Sequence, residues 1–326
     1  MSIAESLEEH RLPPRAGNLL LPDMLGFARV AAESGHSVLI TGETGCGKTH
    51  LARLVHQSGP RAARPFVRVN CAAIPDSLFE REMFGHVKGA YTDARDAAAG
   101  FLEAAHGGTL FLDEIAELAP QNQPKLLAVL EDGCFRKLGS PVESRADVQV
   151  IAAANRDLPE MVRTKQFRQD LFYRISVLRY TVAPLRERRS EIPALVEQLL
   201  EKVRRPDGPR AQISLEALAV LRRHSWPGNI RELENALRAA TAFSGGGEVR
   251  PEHLPEEVRD PGAHRRSTAA EVPARMAERY SAPPTRHDEH EMIRRALDEA
   301  GGNKTTAARR LGMSRSTLWA KLQRYG

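Results

Sequence analysis

The chain has 326 residues, of which 41% are hydrophobic and 27% charged, an ordinary globular balance that excludes whole-chain disorder and leaves room for two or three domains. Lys and Arg total 47 against 42 Asp and Glu, so the net charge is only +5 and does not by itself announce a nucleic-acid partner. Three cysteines (Cys46, Cys71, Cys134) stand far apart without a CxxC pair, which excludes a disulfide framework or thiolate zinc site, and no apolar run reaches the roughly 18 residues of a membrane span.

The first fifteen residues, MSIAESLEEHRLPPR, carry acidic groups where a secretion signal needs a basic end and an apolar stretch, so a cytoplasmic, non-membrane protein is expected. From Ser37 to Val182, short apolar runs alternate with helix-like stretches: SVLIT (37–41), PFVRVN (65–70), GTLFLDE (108–114), DVQVIAAAN (147–155) and SVLRYTV (176–182). Runs of this kind predict an α/β fold with a mostly parallel sheet and helices on both faces. From Ser190 to about Leu254 the pattern turns helical only. In SLEALAVLRRH (214–224), for example, Leu215, Leu218, Ala219 and Val220–Leu221 recur at helical spacing. The stretch DPGAHRRSTAAEVPARMAERYSAPPTR then scatters Pro and Gly and reads as a linker. The expected division is a tail (1–16), an α/β subdomain (17–183), a helical subdomain (184–258), a linker (259–286) and a compact terminal block (287–326).

Within the first subdomain, GETGCGKT fits GxxxxGK[ST], directly after the strand SVLIT and before the helix THLARLVHQ. Gly42, Gly45 and Gly47 let the backbone fold around phosphate oxygens, with Glu43, Thr44 and Cys46 as the intervening loop positions. Lys48 is expected to reach the β- and γ-phosphates and Thr49 to offer its hydroxyl to Mg2+. A buried strand in GGTLFLDEI ends on Asp113, a second candidate for holding magnesium, and Glu114, which can polarise an attacking water. The pair favours hydrolysis of ATP over mere binding.

The terminal block reads as three helices. Met292, Ile293, Ala296 and Leu297 share one face of the first, TTAARRL follows the stop GGN, and Ser314 is placed to cap the last. This is a helix-turn-helix layout. Residues 302–326 contain Lys304, Arg309, Arg310, Arg315, Lys321 and Arg324 and no acidic residue, so this end alone out-charges the whole chain. Arg315, Ser316 and Thr317 open the expected recognition helix and are candidates for base contacts. Lys304, Arg309, Arg310 and Lys321 suit phosphate contacts, and Thr305 and Ser314 complete the expected DNA-facing set.

Taken with VNCAAIPDSLFEREMFGHVKGAYTDA (69–94), these motifs resemble the sigma-54-dependent transcriptional activators (bacterial enhancer-binding proteins) of the AAA+ superfamily, and the terminal block resembles their Fis-type DNA-binding domain. The resemblance implies an AAA+ P-loop core with a helical lid and a C-terminal all-α reader. It further implies ATP with Mg2+, a hexamer of self or paralogue, upstream double-stranded DNA and sigma-54 RNA polymerase as partners. GAYTDA (Gly89, Ala90, Tyr91, Thr92, Asp93, Ala94) resembles the family's GAFTGA sigma-contact loop, with Tyr91 keeping an aromatic ring and Asp93 replacing a glycine. FRQDLFYRI resembles the stretch that supplies arginine fingers, implying that role for Arg168 and Arg174. WPGNIREL resembles the sensor II region, implying Arg231 near the phosphates. Asn70 resembles the family's switch asparagine, implying that it restrains Glu114. Asn155 falls at sensor I, where Ala154 stands in place of the usual Thr.

Two questions stay open at this level. Cys46 is either an exposed low-pKa thiol able to act as a redox brake, or simply a small side chain. The chain is either an activator that uses ATP hydrolysis to remodel sigma-54 polymerase closed complexes into open ones, or a DNA-binding co-regulator in mixed oligomers that no longer engages sigma-54, as Asp93 and Ala154 would motivate. About twenty residues precede the ATPase region, too few for a sensor domain, so control by a regulatory protein in trans, by expression level or by hetero-oligomerisation is expected.

Overall fold

The computed structural model describes residues 22–91, 96–203, 211–260 and Lys304. Five strands build the central sheet: β1 (Val38–Thr41), β2 (Phe66–Asn70), β5 (Thr109–Asp113), β8 (Gln149–Ala154) and β9 (Leu178–Thr181). Their order is β2-β5-β8-β1-β9 and every pairing is parallel. Each strand is the centre of one of the five apolar runs, trimmed by a residue or two at its ends.

Side-chain alternation explains why these runs read as continuous apolar stretches. Leu39, Val67, Val69, Leu110, Leu112, Ala152 and Ala154 enter one core, whereas Val38, Ile40, Phe66, Phe111, Ile151 and Ala153 enter the other. Both faces are therefore buried, as a parallel sheet requires. Helices α1 (Pro22–Ser34) and α2 (Lys48–Gln57) cover the second face through Ala28, Ala31, Leu51 and Val55. The first face is covered by α3 (Phe79–Phe84), α4 (Phe101–Ala104), α5 (Gln123–Asp132), α6 (Leu158–Arg163) and α7 (Gln169–Ile175).

Two small antiparallel pairs interrupt this pattern. The first joins β3 (Gly85–His86) to β4 (Ala98–Ala99), and the second joins β6 (Cys134–Arg136) to β7 (Glu143–Arg145). A bridge between His86 and Leu138 ties one insertion to the other.

After β9, a short 3-10 turn at Leu185–Glu187 leads into the lid, built on α8 (Ile192–Val203), α9 (Leu215–Arg223), α10 (Asn229–Phe243) and α11 (Glu256–Arg259). Trp226 is fully buried among them and its indole N–H donates to the Leu221 carbonyl at 2.8 Å. Two expectations for this part need correction. The lid is not all-helical, because β10 (Gln212–Ile213) and β11 (Glu248–Val249) form a short parallel pair. Nor does Leu215 face inward. It follows the cap Ser214, whose hydroxyl accepts from the Ala217 N–H at 3.1 Å, and is 80% exposed; Ala217 and Leu221 carry the buried face. Among the described residues no helix is long and apolar enough to cross a membrane.

Candidate nucleotide site

The phosphate loop leaves the C-terminal end of β1, which lies between β8 and the edge strand β9. Gly42 N–H donates to the Ala154 carbonyl at 3.2 Å, and the Thr41 and Thr181 hydroxyls meet at 2.8 Å, anchoring the loop base on both neighbours. Gly42, Gly45 and Gly47 have φ of 146°, 77° and 108°, conformations that side chains disfavour. Lys48 opens α2, is nearly buried, and donates through Nζ to the Gly42 and Glu43 carbonyls at 2.7 and 2.9 Å.

A cavity of about 430 Å³ opens over this loop. Its walls include Thr44 to Thr49, Asn70, Asp113 and Glu114 from the sheet side, Asn155 after β8, and Arg231 from α10 of the lid. Gly42 and Glu43 lie behind it rather than in its wall. Asn155 Nδ2 donates to the Thr44 hydroxyl at 3.4 Å. Asn70 accepts the Ala72 N–H on Oδ1 at 3.0 Å, and among the described residues no hydrogen bond joins it to Glu114. Glu114 has φ 55°, a left-handed conformation uncommon for a side-chain-bearing residue, stored where β5 ends beside the loop.

Four side chains that the sequence reading passed over belong to this region. Arg68, on β2, donates to Asp113 Oδ2 at 2.8 Å, while Asp113 Oδ1 accepts the Glu114 N–H at 3.1 Å. Arg188 bonds the Cys46 carbonyl and pairs with Glu191 at 3.3 Å. Burial outweighs this arginine and pushes the Glu191 carboxyl up. Arg186 grips Glu43 with both amino groups. Together with Asn229, this pairing holds the Glu43 carboxyl down at about 2. His50 also lines the cavity, and desolvation, helped by Arg53 and Arg188, lowers its pKa. For Arg68 the available signal was a charge inside a buried strand; for Arg186 and Arg188 it was the run of arginines just after the sheet.

Cys46 is fully buried and burial raises its thiol pKa, so the exposed low-pKa thiol behind the redox-brake reading is not present; the small-residue reading fits. Cys134 is half-buried at the start of β6.

The other expected residues lie outside this cavity. Arg168 pairs with Asp170 at 2.6 Å on the surface, and Arg174 donates to the Leu130 and Glu131 carbonyls at 2.7 and 3.2 Å, closing the end of α5. Gly89 (φ 81°) and Ala90 form a turn, and Tyr91 lies 3.4 Å from His86 through its hydroxyl and ring nitrogen Nε2. Thr92, Asp93 and Ala94 lie outside the described residues. So do the expected DNA contacts Thr305, Arg309, Arg310, Ser314, Arg315, Ser316, Thr317 and Lys321; Lys304 alone is described, helical and exposed.

Comparison with known proteins agrees with this geometry. The sigma-54 interaction domain matches residues 20–181, the AAA+ ATPase lid domain 186–271, and the bacterial regulatory protein Fis family 286–325. A solved structure of NtrX from Brucella abortus in complex with ADP shares 32% identity at a TM-score of 0.68, covering 99% of this chain and 71% of that one. The chain belongs to the sigma-54-dependent regulator family. It is 41% identical over 311 residues to the regulatory protein AtoC of Escherichia coli K12, covering 94% of this chain and 66% of AtoC. It is 42% identical over 295 residues to the Nif-specific regulatory protein of Azotobacter vinelandii, covering 90% and 55%. The chain thus spans about half to two thirds of the curated relatives it matches. Its AAA+ core, helical lid and C-terminal Fis-type reader are the parts shared with this family of regulators.

Proposed function

We propose that this chain is a sigma-54-dependent transcriptional activator: a DNA-bound, oligomeric ATPase that remodels sigma-54 RNA polymerase from closed to open complexes. The observation that carries the reading is the convergence of Lys48, Thr49, Asp113, Glu114 and Arg231 on one cavity at the sheet's C-terminal edge. Loop N–H groups and Lys48 would hold the triphosphate of ATP. Thr49 and Asp113 offer the hydroxyl and carboxylate oxygens that a magnesium ion favours, and the ion would neutralise phosphate charge there. Glu114 would take the proton of the attacking water as its oxygen bonds to the γ-phosphorus. The bond from that phosphorus to the bridging oxygen breaks, and ADP leaves with the oxygen. Arg168 and Arg174, exposed and remote from this chain's own cavity, would serve the site of a neighbouring subunit. Tyr91 would carry the nucleotide-driven movement to sigma-54, and the basic terminal block with Lys304 would hold upstream DNA.

In-vitro transcription with sigma-54 polymerase tests this directly. Wild type should open a promoter, whereas Glu114→Gln and Tyr91→Ala should not. Lys48→Ala should abolish nucleotide binding, and retained hydrolysis in that variant would refute the assigned site. Hydrolysis without promoter opening in wild type would instead favour a DNA-bound co-regulator.

A further inference from the structure

A seam of hydrogen bonds runs from the first half of the phosphate loop into the lid. The two carboxylate oxygens of Glu43 accept from Arg186 Nη2 and Nη1 at 2.6 and 2.8 Å, a bidentate pair. Oε2 of Glu43 also accepts from Asn229 Nδ2 at 3.1 Å, and the same Nδ2 donates to the Thr44 carbonyl at 3.1 Å. Asn229 uses its remaining polar atom as well, with Oδ1 accepting the Leu185 N–H at 2.8 Å. One residue later, the Ile230 N–H donates to the Gly45 carbonyl at 3.0 Å. Asn229 is fully buried and left-handed (φ 54°), so it is locked in place by these contacts rather than by helix geometry.

A carboxylate in a loop that binds polyphosphate needs an explanation, because its charge opposes that of the ligand. Glu43 is turned away from the cavity and toward the lid, and Arg186 cancels its charge. Its acidity shows that it stays ionised at neutral pH, so the pair does not dissolve by protonation. Arg231, one of several lid residues that line the cavity, stands two positions beyond Asn229 on the first turn of α10. Loop and lid arginine are therefore joined through a few rigid bonds.

We infer that Glu43, Arg186 and Asn229 form a clasp that positions Arg231 over the phosphate cavity, so that discrimination of ATP from ADP depends on the clasp being closed. The inference rests on reading the cavity as an ATP site. Glu43 and Arg186 are positioning residues: they act through Arg231 and the loop backbone, not on the phosphates.

The test is a titration of the full chain with ADP and with a non-hydrolysable ATP analogue, with melting curves as a folding control. Arg186→Ala and Glu43→Gln should weaken analogue binding about tenfold, within the usual range for a coupling between two sites, while changing ADP binding little. Arg231→Ala should show the same preference for loss of the analogue. The double variant Arg186→Ala/Arg231→Ala should lose no more than Arg231→Ala alone, because both act through one contact. Where Arg186→Ala fails to fold, Arg186→Lys carries the test, since it keeps the charge and loses the two-pronged grip. Equal loss for both nucleotides, or additive losses in the double variant, would overturn the clasp and leave only a structural support. Undiminished discrimination in Arg186→Ala would overturn it while leaving the ATP site intact. A wild-type chain that binds neither nucleotide would overturn the ATP-site reading and the clasp with it.

Discussion

Gly45 sits where loop and lid come closest, and Gly45→Ala measures how tightly they are pressed together. Its φ of 77° costs an L-residue roughly 1–2 kcal/mol. About 0.4–1 kcal/mol of that is offset by the stiffer unfolded chain. Gly107→Ala carries the same backbone cost, with φ 75°, but its new Cβ would meet nothing within 4 Å. At Gly45 the Cβ would lie 2.5 Å from the Gly228 carbonyl oxygen and 3.2 Å from Arg231 Cβ, so the root of α10 must retreat. Retreat stretches two hydrogen bonds, Ile230 N–H to Gly45 O at 3.0 Å and Asn229 Nδ2 to Thr44 O at 3.1 Å. At about 0.5–1.5 kcal/mol each, their loss puts Gly45→Ala roughly 1–3 kcal/mol below Gly107→Ala. Thermal melts of the two variants should show that gap. Titration with an ATP analogue should show at least a tenfold affinity loss for Gly45→Ala only, each tenfold being about 1.4 kcal/mol. Identical behaviour of the two variants would refute the tight apposition of loop and lid.

Three further outcomes are expected. The Glu43 carboxyl titrates near 2 in the folded chain against an ordinary 4.5, held down first by Arg186 and then by Asn229. Its stabilising contribution is therefore complete above about pH 4.5 and fades as the pH falls toward 2. The melting difference between wild type and Glu43→Gln should close over that window, and a difference unchanged with pH would exclude the ion pair. Burial pushes the Cys71 thiol up to about 12, aided by the charges of Asp113 and Glu114, and burial also raises Cys46. The Cys134 thiol is raised too, by desolvation and Glu143, but it alone of the three is not buried. Iodoacetamide at about pH 8 should thus label it first and reach the other two only on unfolding. Rapid native labelling of Cys46, read by mass spectrometry, would contradict its burial. Arg168→Ala removes only a solvent-screened surface pair, so melting should stay put. If Arg168 serves a neighbouring subunit's site, turnover should fall by a factor of about 10³ or more, and normal turnover would end that assignment.

The inner strands β1, β5 and β8 were legible because each is buried on both faces and so appears as an apolar run. At the edge, β9 instead alternates half-buried Leu178 and Tyr180 with exposed Arg179 and Thr181. Alternation between the two cores fixes which residues face which helices, yet leaves no polar mark in the sequence. The order of the strands, with β1 inserted between β8 and β9, is set by long-range pairing that no local pattern records. Leu215 misled for a local reason. Periodicity counted it on the inward stripe of α9, but it directly follows the Ser214 cap, and the first turn points it outward. The β10–β11 pair is too short to rise above the helical pattern around it.

The candidate site divides along a similar line. Glycines and lysine of the phosphate loop are legible because phosphate chemistry restricts those positions to one residue type. The variable positions of the same motif carry no such restriction, and Glu43, Thr44 and Cys46 are bonded from the segment after the sheet and from the lid. Glu43 meets Arg186 across 143 residues of sequence, and Thr44 meets Asn229 across 185. Cys46 offers its carbonyl to Arg188. Only Glu43 is held through its side chain; Thr44 and Cys46 are held by their carbonyls and also line the cavity. Phosphate binding alone would leave residues 43, 44 and 46 free to be anything small or polar. Their engagement by the arginines after the sheet and by Asn229 before Arg231 gives the lid a direct mechanical grip on the loop. On the proposed ATP reading, these bonds would let a change in how the loop holds its ligand reach the lid directly.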